Sequence, residues 1–402
     1  MRCDPLPSDQ SCSRRVVYVT TAPMALRNLC AGQLAFLRSQ GYEIYAISNP
    51  GEDLDVVAQR EGVHVIGIPM HREIRPLADL ASLWRLWRLL RRLRPDIITT
   101  ATAKASLLGL TAAWLARVPA RVYQLWGLRL ETTRGLKRRI LWLMEVITAA
   151  CAQRVICVSE SLRREFVAAR CAPADKTVVL LNGSSNGVDA SRFRQTPEVQ
   201  SAVRKLRAEW GMAPSDPVIG FVGRFVRDKG IAELIDAFDE ILTTRPDAWL
   251  LLVGDYETGD PVSDSYVRRI GGHPRIIRPG FVRDLAPYYG AMSVLAFPTY
   301  REGFPNVVLE AAAAELPTVT FRATGAVDAV QDSATGLVVE IGDARGLAAA
   351  LLKYLLDDNL RRRHGQAARE RVLRDFSREP IWQALDAQFR EVLAASKNSA
   401  RA

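Results

Sequence analysis

Short apolar runs rich in β-branched residues alternate along this chain with amphipathic segments of helical period. Runs of this length are typical of buried parallel strands, and the longer segments are typical of helices packed on them. In the first half, the pattern predicts strands over 16–21, 43–48, 63–68, 96–100, 121–125, 154–158 and 177–181, with helices over 28–40, 77–93, 105–117, 135–150 and 160–169. In the second half, it predicts strands over 217–222, 249–254, 275–277, 293–297, 318–321 and 337–340, with helices between them.

The stretch between these two series, residues 182–217, is polar and contains the turn-forming pairs Asn182-Gly183 and Asn186-Gly187. A chain of 402 residues is also too long for one hydrophobic core. The sequence therefore predicts two Rossmann-like, doubly wound α/β domains facing across a cleft. Open sheets of this kind bind ligands beyond the carboxyl ends of their strands, so the cleft is the expected site. The predicted divisions are a first domain at 14–185, a linker at 186–216, a second domain at 217–375 and a C-terminal helix at 376–402.

Composition narrows the class of protein. Hydrophobic residues make up 48% and charged residues 24%, which is ordinary for a globular protein. We find no apolar run of 18 residues and no apolar core of a secretory signal in the first 13 residues. The six cysteines are scattered through the first half without a C-x-x-C pair, which favours a reducing compartment. These features predict a cytoplasmic protein.

The charge is uneven, because residues 1–200 carry a net +11 and residues 201–402 a net −1. Nucleic acid, anionic lipid or a phosphorylated acceptor could each exploit such a field. We find no nucleic-acid recognition motif, so nucleic acid is disfavoured. The segment 77–93 carries Trp84 and Trp87 with arginines on another face, and further cations follow at 134–139. This pattern suits either an ordinary packed helix or peripheral contact with the inner face of an anionic plasma membrane.

The segment Tyr300–Glu310 contains the most informative chemistry. Glu302 and Glu310 lie eight positions apart where a loop enters a helix, and Pro305 suits the first helical position. The free N–H groups that begin at Asn306, beside Gly303, would attract a phosphate at the positive end of the helix dipole. The two carboxylates could then accept hydrogen bonds from a hexose and a ribose on either side. The plain alternative is a solvated acid near a helix start together with an incidental charge.

A second motif, Gly223-Arg224 followed by Lys229-Gly230, comes directly after a predicted strand. An arginine fork and a lysine point charge can neutralise a departing diphosphate, as a metal ion would. Taken alone, Arg224 and Lys229 could simply be two solvent-exposed cations at the end of a strand. Paired acids suited to magnesium are scarce, and Asp53-Leu54-Asp55 is interpreted as a helix cap. No two of the four histidines have helical ligand spacing, so a zinc site has little support. Because the two cations can replace a metal ion, no catalytic metal is expected, and no other cofactor is predicted.

Together these motifs resemble the Glu-x7-Glu and Gly-Arg…Lys-Gly segments of retaining glycosyltransferases of family four, which have the GT-B fold. The resemblance covers most of the chain, including Gly325–Val330, Thr335–Val339 and the turn Asn186-Gly187-Val188-Asp189 followed by Phe193. It implies transfer of a hexose from a nucleoside-diphosphate sugar, of the UDP type, to a lipid-linked saccharide of a surface polysaccharide. The first domain would bind the acceptor and the second the donor, and the last helix would return to the first domain.

The resemblance also implies roles for individual residues. Arg224 and Lys229 would hold the diphosphate, while Glu302, with the backbone of Gly303 and Phe304, would orient the hexose. Glu310 would bind the ribose. The remaining donor-side positions implied are Gly223, Asn306, Val307, and the backbone of Phe281 and Val282 at the nucleobase. The 280–284 segment that contains the last two is equally consistent with a plain β–α turn.

On the acceptor side the chain departs from the family pattern. Trp126 stands before Gly127, where many members carry a histidine, and this motivates the alternative of a non-catalytic GT-B-like assembly partner that binds sugar nucleotide. Lys104 is kept in a segment that lacks another family histidine. It is either an acceptor-side cation or a surface residue at a helix start, and the surface interpretation is the simpler one. Without a histidine base, the leaving phosphate is the expected proton acceptor.

Overall fold

The structure is a computed structural model that describes residues 14–71, 73, 75–257 and 259–399. Its strands form a seven-stranded and a six-stranded parallel sheet. The strands of the first sheet are β1 Arg14–Val19, β2 Tyr42–Ser48, β3 His64–Gly67, β4 Ile97–Ala101, β5 Ala120–Leu125, β6 Arg154–Cys157 and β7 Thr177–Val179. Those of the second are β8 Val218–Val222, β9 Trp249–Val253, β10 Ile276–Gly280, β11 Val294–Phe297, β12 Thr318–Phe321 and β13 Gly336–Val339.

The first sheet has the order β3-β2-β1-β4-β5-β6-β7, with helices on both faces. Its helices are α1 Pro23–Leu29, α2 Gln33–Ser39, α3 Glu52–Glu61, α4 Pro76–Leu93, α5 Ala103–Leu115, α6 Gly135–Cys151 and α7 Glu160–Ala168. One apolar core lies between the sheet and α4 to α7, and it includes Leu86, Leu110 and Phe166. A second core lies under α1 to α3 and includes Leu34 and Val57. A sheet buried on both faces is the expected setting for parallel strands.

The second sheet has the order β10-β9-β8-β11-β12-β13. The remaining helices are α8 Pro197–Glu209, α9 Ile231–Thr244, α10 Asp264–Gly272, α11 Ala286–Ala291, α12 Asn306–Ala313, α13 Ala326–Ala329, α14 Ala344–Leu356, α15 Asp358–Asp375 and α16 Arg378–Ser399. Two further cores lie on the two faces of this sheet. No helix within the described residues is both long enough and apolar enough to cross a bilayer.

Each predicted strand is present, with ends that differ by a few residues. The predicted helix 28–40 is wrong as a single element, because the chain forms α1 and α2 with a break at Gly32. Gly32 has φ +81°, and a Cβ there would lie 2.7 Å from the ring of Trp382. The left-handed backbone at Gly32 interrupts the helix, and the ring of Trp382 occupies the space where a side chain would lie. Asp53 and Asp55, interpreted as cap residues, lie in the first turn of α3.

The polar segment between the domains contains α8, which packs against α11 of the second domain. At the other end of the second domain, Val188 forms a β-bridge with Ser377, directly before α16. Helix α16 then packs on β5 and α2, and Leu385 and Phe389 are buried in the core under α1 to α3. The chain thus crosses between the two domains twice, at neighbouring points.

Candidate active site

The donor motifs meet at the carboxyl ends of two neighbouring strands, β8 and β11. The backbone N–H of Tyr300 donates to the carbonyl of Asp228 (2.9 Å), which joins the turn after β8 to the loop after β11. Gly230 has φ +68°, and a Cβ there would lie 1.9 Å from the carbonyl oxygen of Pro298. Only glycine therefore allows the two loops to approach this closely.

This approach places Lys229 and Glu302 in direct contact, with the Nζ atom donating to Oε1. Their side chains are only 13% and 19% exposed. A mostly buried ion pair is held by its own mutual attraction, and each charge would need another partner if the pair opened. Two of the residues that the sequence singled out are thus direct neighbours.

Arg224 is half exposed at the end of β8, and its Nη1 donates to Glu257 (2.6 Å). Gly223, before it, donates its N–H to the carbonyl of Val253 (3.0 Å). Glu257 was not selected from the sequence, because it lies in no motif. The structure therefore gives Arg224 an acidic partner that the Gly-Arg…Lys-Gly spacing does not reveal.

Arg301 is a further cation of the site, and sequence reasoning missed it. Its Nη2 donates to Asp228 (2.7 Å), and its Nε donates to Thr132 of the first domain (2.9 Å). Its position beside Glu302 in the motif was the available signal. Arg224, Lys229 and Arg301 supply positive charge to the loops at this edge of the sheet, and Arg301 also links the two domains.

The helix that follows the motif begins one residue later than predicted. Pro305 is the N-cap residue of α12 with ψ 102°, so Asn306, not Pro305, occupies the first helical position. Val308 donates its N–H to the carbonyl of Pro305 (3.1 Å). Among the described residues, the N–H groups of Asn306 and Val307 have no hydrogen-bond acceptor. The Oδ1 atom of Asn306 is also buried without a partner. This helix start retains free hydrogen-bonding groups.

Glu310 lies in a different environment from Glu302. Its Oε2 accepts a hydrogen bond from the hydroxyl of Tyr289 (3.0 Å), and the oxygen of the same hydroxyl lies 3.3 Å from the carbonyl oxygen of Val307. Burial raises the pKa of Glu310 to about 7, against smaller opposing effects of Tyr289, Arg192 and Arg378. The two acids of the motif therefore differ, one being paired with a lysine and the other held by a neutral hydroxyl.

The loop of Gly303 also contacts the first domain. A Cβ at Gly303 would lie 1.9 Å from the carbonyl oxygen of Trp126, and the hydroxyl of Ser159 donates to the carbonyl of Gly303 (2.8 Å). The indole N–H of Trp126 donates to Gln124 (3.3 Å), on β5. Trp126, proposed for the acceptor side, thus lies against the loop proposed for the donor.

Phe304 fills the seam between the domains with its side chain. It packs against the cores of both, and its ring centroid lies 5.2 Å from that of Phe376. At the 280–284 turn, Phe281 is exposed and donates its N–H to Asp255 (3.1 Å), while Val282 is half buried. The side chain of Phe304 therefore has a packing role at the seam, whereas Phe281 presents its side chain to solvent.

The surface interpretation of Lys104 is wrong, because only 6% of its side chain is exposed. Its Nζ atom donates to the carboxylate of Asp79 and to the carbonyl of Glu73 (2.8 Å). The segment that leads into α4 covers the start of α5 and buries this lysine. Its charge is compensated by Asp79, which lies 25 residues away in sequence and belongs to no recognisable motif.

Candidate metal ligands are dispersed: in the described part of the chain, no three His, Cys, Asp or Glu side chains converge on one point. Four cysteines are free thiols, namely Cys30, Cys151, Cys157 and Cys171. Cys3 and Cys12 lie outside the described residues.

Two parallel α/β domains that meet at a cation-rich loop define a two-domain protein of the GT-B class. The family model described as "Glycosyl transferases group 1" matches residues 216–357. The family model described as "Glycosyl transferase 4-like domain" matches residues 26–183. The crystal structure of Anabaena Alr3699/HepE in complex with UDP and glucose is similar, with a TM-score of 0.79 at 22% identity. That likeness covers 94% of this chain and all of the other. The fold prediction is confirmed.

Curated relatives extend the comparison over the whole chain. The capsular polysaccharide biosynthesis glycosyltransferase CapM of Staphylococcus aureus is 36% identical over 386 residues, covering 96% of this chain and 99% of CapM. An Escherichia coli enzyme named UDP-Gal:alpha-D-GlcNAc-diphosphoundecaprenol alpha-1,3-galactosyltransferase is 26% identical, covering 70% of this chain and 72% of that protein. The chain belongs to the glycosyltransferases that combine a 4-like first domain with a group 1 second domain. The expectation of an enzyme is confirmed. These relatives do not favour the non-catalytic alternative.

Proposed function

We propose that this enzyme transfers a hexose from a nucleoside-diphosphate sugar, with UDP the favoured nucleotide, to a lipid-linked saccharide. The pathway would be that of a capsule, an exopolysaccharide or an O-antigen. The name of CapM supports the pathway, and the name of the Escherichia coli relative supports both a UDP-sugar and a diphosphate-linked lipid acceptor. The UDP bound by Alr3699/HepE agrees with this choice of nucleotide. Retention of anomeric configuration follows from the motif resemblance.

The observation that carries the proposal is the pair Lys229–Glu302 at the carboxyl ends of β8 and β11. A donor diphosphate would take Lys229 as its counter-charge and so free the carboxylate of Glu302 for hexose hydroxyls. The exposed Arg224 would exchange Glu257 for the same diphosphate. Lys229 and Arg224 would each exchange a carboxylate partner for the diphosphate, so neither cation is left unpaired before or after binding.

The remaining donor contacts follow from the surrounding groups. The free N–H groups of Asn306 and Val307 would bind phosphate oxygens. Gly223, whose N–H is held by the carbonyl of Val253, would let the diphosphate approach the backbone closely because it has no side chain. Glu310 would accept hydrogen bonds from the ribose, and the backbone of Phe281 and Val282 would border the nucleobase. On the acceptor side, Trp126 is the better candidate because it lies beside Gly303.

In the reaction, the bond between the hexose C1 and the oxygen of the terminal phosphate breaks, and the diphosphate leaves with its bonding electrons. Arg224 and Lys229 stabilise the charge that develops there. An acceptor hydroxyl oxygen forms the new bond to C1, and its proton passes to the departing phosphate. We propose that these cations make a metal or other cofactor unnecessary.

We further propose that the reaction takes place at the inner face of the plasma membrane, without a role for nucleic acid. Free thiols such as Cys30 and Cys157 persist in reducing compartments. A lipid-linked acceptor would require the protein to approach a membrane surface.

The test is the release of UDP from UDP-sugars in the presence of a lipid-linked acceptor. Arg224→Ala and Lys229→Ala are each expected to lower kcat by about 100-fold or more, as is found for groups that stabilise a developing charge. Arg227→Ala, an exposed cation of the same turn that is paired with Asp260, is the matched control and should keep the rate.

Unchanged turnover in both variants would refute the leaving-group proposal.

Added EDTA should leave the rate unchanged, and a requirement for a divalent metal would overturn the metal-free mechanism. A thermal-shift comparison of UDP-, GDP- and dTDP-sugars tests the nucleotide. NMR of the product tests whether the transferred hexose retains its anomeric configuration.

A further inference from the structure

Large apolar side chains are exposed on one helical layer of the first domain. Helices α4, α5 and α6 pack side by side on the same face of the sheet. More than half of the large apolar side chains that the described residues expose lie on these three helices. Leu77 is 86% exposed and Leu136 72%. We define the docking face as Leu77, Leu80 and Trp84 of α4 with Leu136, Ile140 and Leu143 of α6.

Cations are interleaved with these apolar residues, and acids are nearly absent. Arg88 stacks on the ring of Trp84 at 5.4 Å, and on α6 Lys137 and Arg139 are exposed between the apolar positions. From residue 134 to residue 144 the sequence contains no acid. The one acid of α4, Asp79, is neutralised by Lys104. A surface that is both apolar and positive complements anionic lipid headgroups above their acyl chains.

The docking face reaches the cleft. Helix α6 begins at Gly135, three residues after Thr132, which accepts a hydrogen bond from Arg301 (2.9 Å). Arg301 is the neighbour of Glu302 in the donor loop. In a parallel sheet the helices begin at the carboxyl ends of the strands, which is the edge that borders the cleft. The exposed first turns of α6 therefore lie close to the site proposed for transfer.

We propose that α4 and the N-terminal half of α6 dock on an anionic phospholipid bilayer and so hold the mouth of the cleft at the membrane surface. The inference rests on the proposed function, because a lipid-linked acceptor carries its saccharide at that surface. A second copy of the chain fits less well. A symmetric contact would bring Lys137 and Arg139 near the same cations of its partner, where like charges repel.

The test is flotation of the full chain with vesicles. The wild-type protein is expected to bind vesicles of phosphatidylcholine with phosphatidylglycerol at least about tenfold more tightly than vesicles of phosphatidylcholine alone, and salt should weaken this binding. The variants L136N/I140N and K137Q/R139Q should each weaken binding by about tenfold or more. All four side chains are exposed, and thermal melting checks that the variants fold.

Matched controls come from exposed sites on other surfaces of the molecule: L356N/L373N for the apolar change and R204Q/K205Q for the charge change. Both should bind as the wild type does. Equal binding by the docking-face variants, or equal binding to neutral vesicles, would overturn the proposal. So would a dimer in sedimentation velocity that L136N/I140N abolishes, since the occupant would then be a second copy.

Transfer to a short-chain, water-soluble acceptor separates this inference from the proposed function. The docking-face variants should keep the wild-type rate on that acceptor. A protein that binds vesicles but transfers no sugar would refute the proposed function alone. One that transfers sugar but does not bind vesicles would refute the docking face alone.

Discussion

Glu302 and Glu310 look equivalent in the motif, yet their surroundings give them different chemistry. Glu302 faces Lys229, so its charge is compensated before any substrate arrives. Glu310 lies deep in α12, and the hydroxyl of Tyr289 is its hydrogen-bond donor. Burial without an ion pair disfavours the charged form of a carboxyl group, which is the reason that its pKa is raised to about 7.

This raised pKa predicts a pH dependence of donor binding. Ribose hydroxyls donate hydrogen bonds better to the ionised carboxylate, which in Glu310 predominates above about pH 7 and disappears below it. The affinity for the donor should therefore rise from pH 6 to pH 8, by up to about tenfold, because the ionised fraction changes by that factor. Titration calorimetry with an intact nucleoside-diphosphate sugar measures this.

Glu310→Gln should bind more weakly at pH 8 and show no such dependence. Glu315→Gln removes a more exposed carboxyl that follows α12 and should behave as the wild type does. An affinity that is the same at pH 6 and pH 8 in the wild type would contradict the assignment of Glu310 to the ribose.

At the scale of elements, the close approach of the two loops at the domain seam depends on Gly303. The loop into α12 lies against the loop after β5, and there the space for a Cβ at Gly303 is filled by the carbonyl of Trp126. The sequence singled out Gly303 for its backbone toward the donor. Its contact with Trp126 gives a separate physical reason for glycine at this position.

Gly303→Ala should force these loops apart. Such overpacking against a backbone oxygen typically costs about 1 to 3 kcal/mol, so the melting temperature and the transfer rate should both fall. Gly271→Ala is the control: a Cβ at Gly271, in α10, meets nothing within 4 Å, and alanine favours a helix. A Gly303→Ala enzyme with wild-type stability and rate would show that the seam does not need this close approach.

For the whole molecule, α16 joins the end of the chain to the first domain. It starts beside the linker at Val188 and buries Phe389 in the core under α1 to α3. The stability of the first domain therefore includes contacts contributed by residues that follow the second.

Phe389→Ala should destabilise the first domain by about 3 to 5 kcal/mol, the usual cost of removing a buried aromatic ring. Urea unfolding followed by circular dichroism should show a transition at lower denaturant concentration than in the wild type. Leu373→Ala, at a half-exposed site on α15, should change the curve little. Similar curves for Phe389→Ala and the wild type would mean that α16 contributes little to that core.

The strands in their chain order, the two-domain α/β class and the family could all be predicted from the sequence, although the helix predicted over 28–40 is two helices. Each of these depends on local features: apolar runs, turn residues and short motifs such as Gly223-Arg224 and the acids at 302 and 310. Local periodicity is enough because buried parallel strands must be apolar wherever they occur.

Which side chains meet depends on how the domains and their loops pack. The pairs Lys229–Glu302 and Lys104–Asp79 join residues 73 and 25 positions apart, and Gly32 packs against Trp382 from the far end of the chain. Spacing along the chain does not reveal such partners, because the charges and rings are brought together only when the sheets and their loops pack. For the same reason, the position of Lys104 at the start of a helix predicts a surface residue, whereas in the folded protein the segment that leads into α4 covers it.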